Sequence, residues 1–236
     1  DGAGYWTNGV TEIAVEADAR ISHYKLQGEG DAAFHIGLCA VDLARGAKYE
    51  SFAMSTGAAL SRSEIRVRLG AEGADCTLNG TCLLDGRRHC DNTTNVEHAA
   101  ENCASRQHYK SVVDDRARSV FQGRVLVQPG AHKTDAHQLN RNLLLSEAAR
   151  ADTKPELVIH ADDVKCSHGA TVGDLDREAL FYLQARGIDP AGARALLIEG
   201  FIAELLDDVD QPAVAAQLRA MFADWQGARG RAAEAA

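Results

Sequence analysis

Long apolar runs, basic stripes and paired cysteines are all missing from this sequence, and each absence excludes a class of function. No stretch of about 18 apolar residues occurs, so no transmembrane helix is expected. The 25 basic residues are outnumbered by 34 acidic ones, a formal charge of −9. A chain that grips a phosphate backbone shows a basic stripe, and this one has none. Neither nucleic acid nor a membrane is therefore an expected partner. The six cysteines (Cys39, Cys76, Cys82, Cys90, Cys103 and Cys166) include no Cys-x-x-Cys pair. A chain of 236 residues buries a core without covalent staples, so they read as small buried residues in a reduced, cytoplasmic setting. The opening residues Asp1-Gly2-Ala3-Gly4-Tyr5 show no basic segment followed by an apolar one, so they are no signal peptide. An initiating Met is missing as well, and the chain reads as a fragment or a processed product. Gly-x-Ser-x-Gly, a Walker phosphate loop and His-Glu-x-x-His are also absent, which leaves an ATPase or serine hydrolase with little support.

What is present has globular proportions, 45% hydrophobic and 25% charged. The length fits one large domain or two modest ones. Up to about residue 172 the chain reads as short strands between turns. Ile65, Val67 and Leu69 alternate with Glu64, Arg66 and Arg68, the pattern of a half-buried strand. Glu12–Glu16, Phe34–Leu38 and Gly123–Val127 behave alike. Turn signals lie at Gly28–Asp31, Asn79-Gly80, Asp85-Gly86 and Pro129-Gly130. Their spacing is uneven, and patterning does not separate a sandwich, a barrel and a β-helix.

After Val172 the period becomes helical. Leu175, Ala179, Leu180 and Leu183 share a stripe that stops at Gly187. Asp189-Pro190 restarts a helix, with Asp as cap and Pro in the first turn. That helix continues through Ala193, Leu197, Phe201 and Leu205. A third begins near Asp210-Gln211-Pro212 and runs to about Trp225. The division is a β body over 1–172, a helical cap over 173–226 and a frayed tail over 227–236.

Three clusters could carry chemistry. In the segment from Asp162 to Gly173, an extended backbone puts Cys166 and His168 on one face, about 7 Å apart. They could meet a metal or a sulfur-bridged cluster, or act as nucleophile and base. Equally, they could be a buried Cys beside a surface His, and two ligands do not close a site. His132, Asp135 and His137 suit metal or proton chemistry, or form a polar strand surface. His89, Cys90, Asp91, Glu97 and His98 read best as a polar strand surface.

The segment Asp162-Asp163-Val164-Lys165-Cys166-Ser167-His168-Gly169-Ala170-Thr171-Val172-Gly173, then Leu180-Phe181-Tyr182-Leu183 and Arg186-Gly187-Ile188, resembles the SufD-type members of the SufB/SufD family. That family belongs to the SUF iron–sulfur cluster assembly machinery. Leu60–Val67, Thr134–Gln138, Asn142–Ser146 and Gly4–Asn8 agree in order, so the resemblance runs from Tyr5 to about Val209. It implies a right-handed parallel β-helix followed by a small C-terminal α-helical domain. It also implies a non-catalytic scaffold that pairs with SufB through the β-helix and holds the ATPase SufC through its helices. ATP hydrolysis would belong to SufC. His168 matches the histidine that the family places at the SufB interface, with Cys166 two positions earlier. No cofactor is expected to rest stably on this chain alone; iron or a nascent cluster would pass through the complex, with other ligands from SufB. Asn140 stands near the place where SufB has a cysteine, and Gly169 where SufB has Glu. Leu180, Phe181, Ile188 and Phe201 are the residues expected to face SufC, while Leu180, Phe181 and Leu183 pack the cap onto itself and the β-helix end. Family members also extend well before Tyr5. An open sheet edge would invite a homodimer when the partner is missing. Two other readings stand beside this one. One is a β-helix or cupin-like metal enzyme using His132, Asp135 and His137. The other is a purely structural interaction protein.

Overall fold

The computed structural model describes residues 4–234. Among them, twelve strands come first: β1 (Tyr5–Val15), β2 (Arg20–Gln27), β3 (Ala33–Leu43), β4 (Lys48–Ser55), β5 (Leu60–Leu69), β6 (Asp75–Leu84), β7 (His89–His98), β8 (Ala104–Val113), β9 (Arg118–Val127), β10 (Asp135–Leu144), β11 (Arg150–Ile159) and β12 (Lys165–Gly173). The helices α1 (Arg177–Ala185), α2 (Pro190–Leu206) and α3 (Pro212–Glu234) follow. Odd-numbered strands stack in one sheet, β1-β3-β5-β7-β9-β11, and even-numbered strands in another, β12-β10-β8-β6-β4-β2. Neighbouring strands are parallel. The chain therefore crosses from sheet to sheet and winds as a parallel β-solenoid of about six turns.

The repeat is carried by a corner rather than by a motif. Before each even-numbered strand stands a residue with positive φ: Asp18, Gly46, Gly73, Asn102, Lys133 (preceded by a second, Gly130) and Asp163. They recur every 27 to 31 positions. Backbone bonds stack the corners: Asp18 N–H donates to Arg45 O at 2.9 Å, Gly46 N–H to Glu72 O at 3.0 Å and Asn102 N–H to His132 O at 2.9 Å. Only two of the six are glycine; Asp and Asn tolerate this conformation because their short polar side chains bond locally.

Period-two alternation decides what lies inside. Val67 and Leu69 join Val41, Leu43, Tyr49, Leu78 and Val96 in the interior, and the arginines of β5 point outward. Asn79-Gly80 makes no turn, contrary to its dipeptide signal. It lies in the middle of β6, where Gly80 pairs with Tyr109. A Cβ on Gly80 would meet the Tyr109 ring at 2.5 Å. The glycine is there to admit an aromatic ring, not to reverse the chain. Tyr109 in turn packs against Phe121, with centroids 4.9 Å apart. Pro155 lies on β11, the last strand of its sheet, where a missing N–H leaves no neighbour unpaired.

The helices begin and end as their sequence dictates. Asp176 accepts from Glu178 N–H and Ala179 N–H, and Asp189 from Ala191 N–H and Gly192 N–H. Gly187, at φ +88°, ends α1 by donating to Gln184 O while Ile188 donates to Leu183 O, a Schellman turn. The cap does not sit on the solenoid's end, as the sequence suggests. Ile198, Ile202 and Leu205 of α2, with Leu218, Phe222 and Trp225 of α3, cover the outer face of the even-numbered sheet at Phe52, Met54, Leu83, Val112 and Leu143. The expected frayed tail is helical as far as Glu234; residues 235–236 lie outside the described residues. Arg229 explains the extension, since its Nε donates to Asp114 at 3.0 Å while its guanidinium lies 4.8 Å over the Trp225 ring. No helix among the described residues is long and apolar enough to cross a membrane.

Candidate functional site

β12 closes the even-numbered sheet and has a partner, β10, on one side only. Its register sets Cys166 beside Ala136, Ser167 beside His137 and His168 beside Gln138. Cys166 and His168 therefore share a face, as an extended backbone requires. Their surroundings differ. Cys166 packs against the interior cluster of Val125, Val127, Ala131 and Ala136. That burial pushes its thiol above the usual range, against a backbone hydrogen bond from Ala136. His168 is exposed on the open strand. The imidazole is thus presented at an edge, while the thiol two residues earlier is half withdrawn.

The opposite face of the same strands carries a polar chain. Arg106 on β8 donates from Nη2 to Asp135 at 2.9 Å, Asp135 lies 2.8 Å from His137 Nε2, and His137 Nδ1 meets Ser167 Oγ at 2.5 Å. Burial pushes the Asp135 carboxyl up, but the hydrogen bond and charge of Arg106, helped by His137, hold it below the usual carboxylate range. His132 does not join them. Its Nδ1 stands 3.0 Å from Asp162 O in the neighbouring loop. Among the described residues, no group of three or more His, Cys, Asp or Glu side chains could hold a metal ion. The trio of the metal-enzyme reading is not assembled. The third cluster also departs from its expected surface setting. Alternation along β7 buries Cys90 and His98, and leaves Glu97 on the other face.

Asn140 points into the interior; its Nδ2 donates to Tyr109 O at 3.3 Å and its Oδ1 accepts from Asn142 Nδ2 at 2.7 Å. A Cβ on Gly169 would meet Leu139 Cδ1 at 3.3 Å. Neither position supplies a donor to the edge. A family model described as the SUF system FeS cluster assembly SufBD core domain matches residues 1–201. The chain belongs to the SufBD core family. It is 38% identical over 215 residues to an iron–sulfur cluster assembly SufBD family protein of Synechocystis, covering 91% of this chain and 48% of that protein. It is 39% identical over 205 residues to the iron–sulfur cluster assembly protein SufD of Escherichia coli, covering 87% of this chain and 48% of that one. A chloroplastic protein of Arabidopsis thaliana, ABCI7, is 39% identical over 206 residues, 86% of this chain and 43% of its own length. The chain spans about half the length of these relatives.

Within this SufBD core chain, the four residues expected to face SufC are not equivalent. Phe181 is 74% exposed and does not pack the cap onto anything. Its neighbour Tyr182 is 58% exposed, with the Arg186 guanidinium 5.1 Å over its ring. Leu180 and Phe201 instead pack against the cap's own apolar cluster, and Ile188 is half-buried. The sequence does not separate them because a single helical turn places Leu180 and Phe181 on adjacent spokes. Lys110, on β8, has 1% of its side chain exposed and lies beneath α2. A lysine in an alternating strand reads as solvated until a helix is known to cover it.

Proposed function

We propose that this chain is a non-catalytic scaffold subunit in iron–sulfur cluster assembly, sharing its open β12 edge with a SufB-type solenoid. The observation that carries this reading is His168, exposed on a strand with one free side and, among the described residues, without enough neighbouring donors to close a site. An imidazole nitrogen is a competent ligand for iron, and histidine replaces cysteine on some clusters. Four donors close a cluster corner to corner, so the missing ones must come from the partner. Iron and nascent cluster are cargo here, not a resident cofactor. A free strand edge also provides the backbone donors and acceptors for pairing with another chain.

The reading predicts where metal accumulates. Iron and acid-labile sulfide, measured after anaerobic reconstitution, are expected at background in this chain alone and at cluster stoichiometry when it is mixed with SufB and SufC. Stable metal in the isolated chain overturns the shared site, and none in the mixture leaves a purely structural interaction protein. SufC docking is assigned to the exposed pair Phe181 and Tyr182 on α1. Deleting the whole cap is the wrong test, because it uncovers Phe52, Met54, Leu83, Val112 and Leu143. Phe181→Ser with Tyr182→Ser removes only exposed surface. It is expected to cut SufC retention in a pull-down at least tenfold with the melting temperature unchanged. Undiminished retention places the contact elsewhere.

A further inference from the structure

Cys82 and Cys90 face each other across the solenoid interior. Cys82 lies on β6 in one sheet and Cys90 on β7 in the other, joined by the Asp85-Gly86 corner. Their Sγ atoms are 2.7 Å apart, and both side chains are buried. Apolar residues enclose them on one side: Leu84, Val113, Ala117 and Ala149. The other side is polar. Asn92 Nδ2 donates to Cys82 Sγ at 3.0 Å and lies 3.8 Å from Cys90 Sγ. Ser61 lies beside Cys90 in register, and Ser55 and Ser61 are both buried. Two inert core thiols need no such donors; a sulfur that spends time as thiolate does. A cavity of about 390 Å³ reaches from Gly9 and Thr11 on the edge strand β1 to Asn92, with Lys25 among its walls. It ends at Asn92, the side chain that bonds the Cys82 sulfur, one residue short of the pair.

We propose that Cys82 and Cys90 form a redox-active dithiol that closes to an intramolecular disulfide by exchange with small disulfides. The hydrogen bond between them lets one sulfur of the pair ionise while the other stays protonated, with Cys90 the lower of the two. Cys90 thiolate attacks one sulfur of RS–SR, forming Cys90–S–SR and expelling RS⁻. Cys82 then loses its proton and attacks Cys90 Sγ, forming the Cys82–Cys90 bond and expelling the second RS⁻. The two thiol protons end on two RSH, so the protein pair is oxidised and the small disulfide reduced. The product ties the two sheets together at the β6–β7 corner. Such a bond in a reduced compartment has the character of a sensing or transient disulfide, not a permanent staple.

The test uses the full chain, native, with 2-hydroxyethyl disulfide or with dithiothreitol, then acid quenching, unfolding, alkylation and peptide mass spectrometry. Oxidised protein is expected to lose two hydrogens, to yield a Cys82–Cys90 linked peptide and to leave Cys76 and Cys103 alkylatable. Cys82→Ser is expected to hold a mercaptoethanol adduct on Cys90, which the unaltered chain releases. The oxidised chain should also melt several degrees higher than the reduced one, a shift that dithiothreitol reverses. Full alkylation of Cys82 and Cys90 at every thiol-to-disulfide ratio overturns the proposal, as does equal cross-linking among all six cysteines. The mass measurement on the unaltered chain stands even if the Cys82→Ser variant fails to fold.

Discussion

Replacing Lys110 with alanine is expected to lower stability by about 2–4 kcal/mol, the cost of breaking a buried charged contact from one side. Lys110 is 1% exposed. Its ammonium donates to Phe201 O at 2.6 Å, pairs with the Glu204 carboxylate and stands 4.8 Å over the Phe201 ring. These contacts fasten α2 to β8. Alanine removes the second hydrogen bond on the Phe201 carbonyl, which α2 itself already pairs with Leu205 N–H, opens a void the length of the lysine stem and strands Glu204. Because Glu204 is 56% exposed, solvent screens its share, and most of the loss belongs to the void and to the lost contacts of the buried ammonium with Phe201. Lys110→Met refills the void and is expected to cost roughly half as much. Urea unfolding followed by far-ultraviolet circular dichroism measures both. Equal midpoints for Lys110→Ala and the unaltered chain would show that the cap is held by apolar packing alone.

The second large effect is acid sensitivity from His98. Its ring is fully buried, with Nε2 2.8 Å from Ser105 Oγ. Burial lowers its pKa to about 4, against a small opposing effect of Asp135. The unfolded chain takes up that proton near pH 6.5, the folded chain only near pH 4. Between those values the unfolded state binds more protons, so stability is full above about pH 6.5 and falls as pH falls toward 4. The integrated loss is about 3 kcal/mol. Burial also lowers His23 and His108, which act in the same direction. His98→Asn removes the largest of these contributions. It is expected to flatten unfolding free energy between pH 6.5 and 4, although it weakens the protein at pH 7 by leaving space around Ser105. An unchanged pH slope in that variant would remove His98 from the account.

How far the fold was legible depended on which residues carried it. Helix starts were readable because Asp189-Pro190 acts locally: the side-chain oxygen and the ring satisfy the first turn themselves. Ile65, Val67 and Leu69 announced a strand because one face of it meets the interior. The six-turn repeat was not readable from patterning. It rests on one left-handed corner per turn, filled by Asp, Gly, Gly, Asn, Lys and Asp, at intervals that vary. The family resemblance named the solenoid where periodicity left three architectures open. Asn79-Gly80 misled because the ring that needs a glycine there, Tyr109, lies 29 residues on, in register through β8.

The site divides the same way. That Cys166 and His168 share a face follows from a period of two. That one is half-buried and the other exposed depends on where the solenoid ends, which no local pattern states. Cys82 and Cys90 are hidden in the sequence for a similar reason. Their separation fits no short cysteine motif, and only the β6–β7 corner brings them together. The metal-enzyme alternative put His132 with Asp135 and His137 by closeness in sequence; the Ala131–Thr134 turn sends His132 to Asp162 instead.

The measurement that bears most directly on the shared-edge scaffold is cluster content in the reconstituted complex carrying His168→Ala. His168 is exposed, so its loss should leave folding and complex assembly intact by size-exclusion chromatography. Iron and acid-labile sulfide are expected to fall to background in that complex. A His168→Ala complex that assembles and holds cluster at the unaltered level contradicts the account.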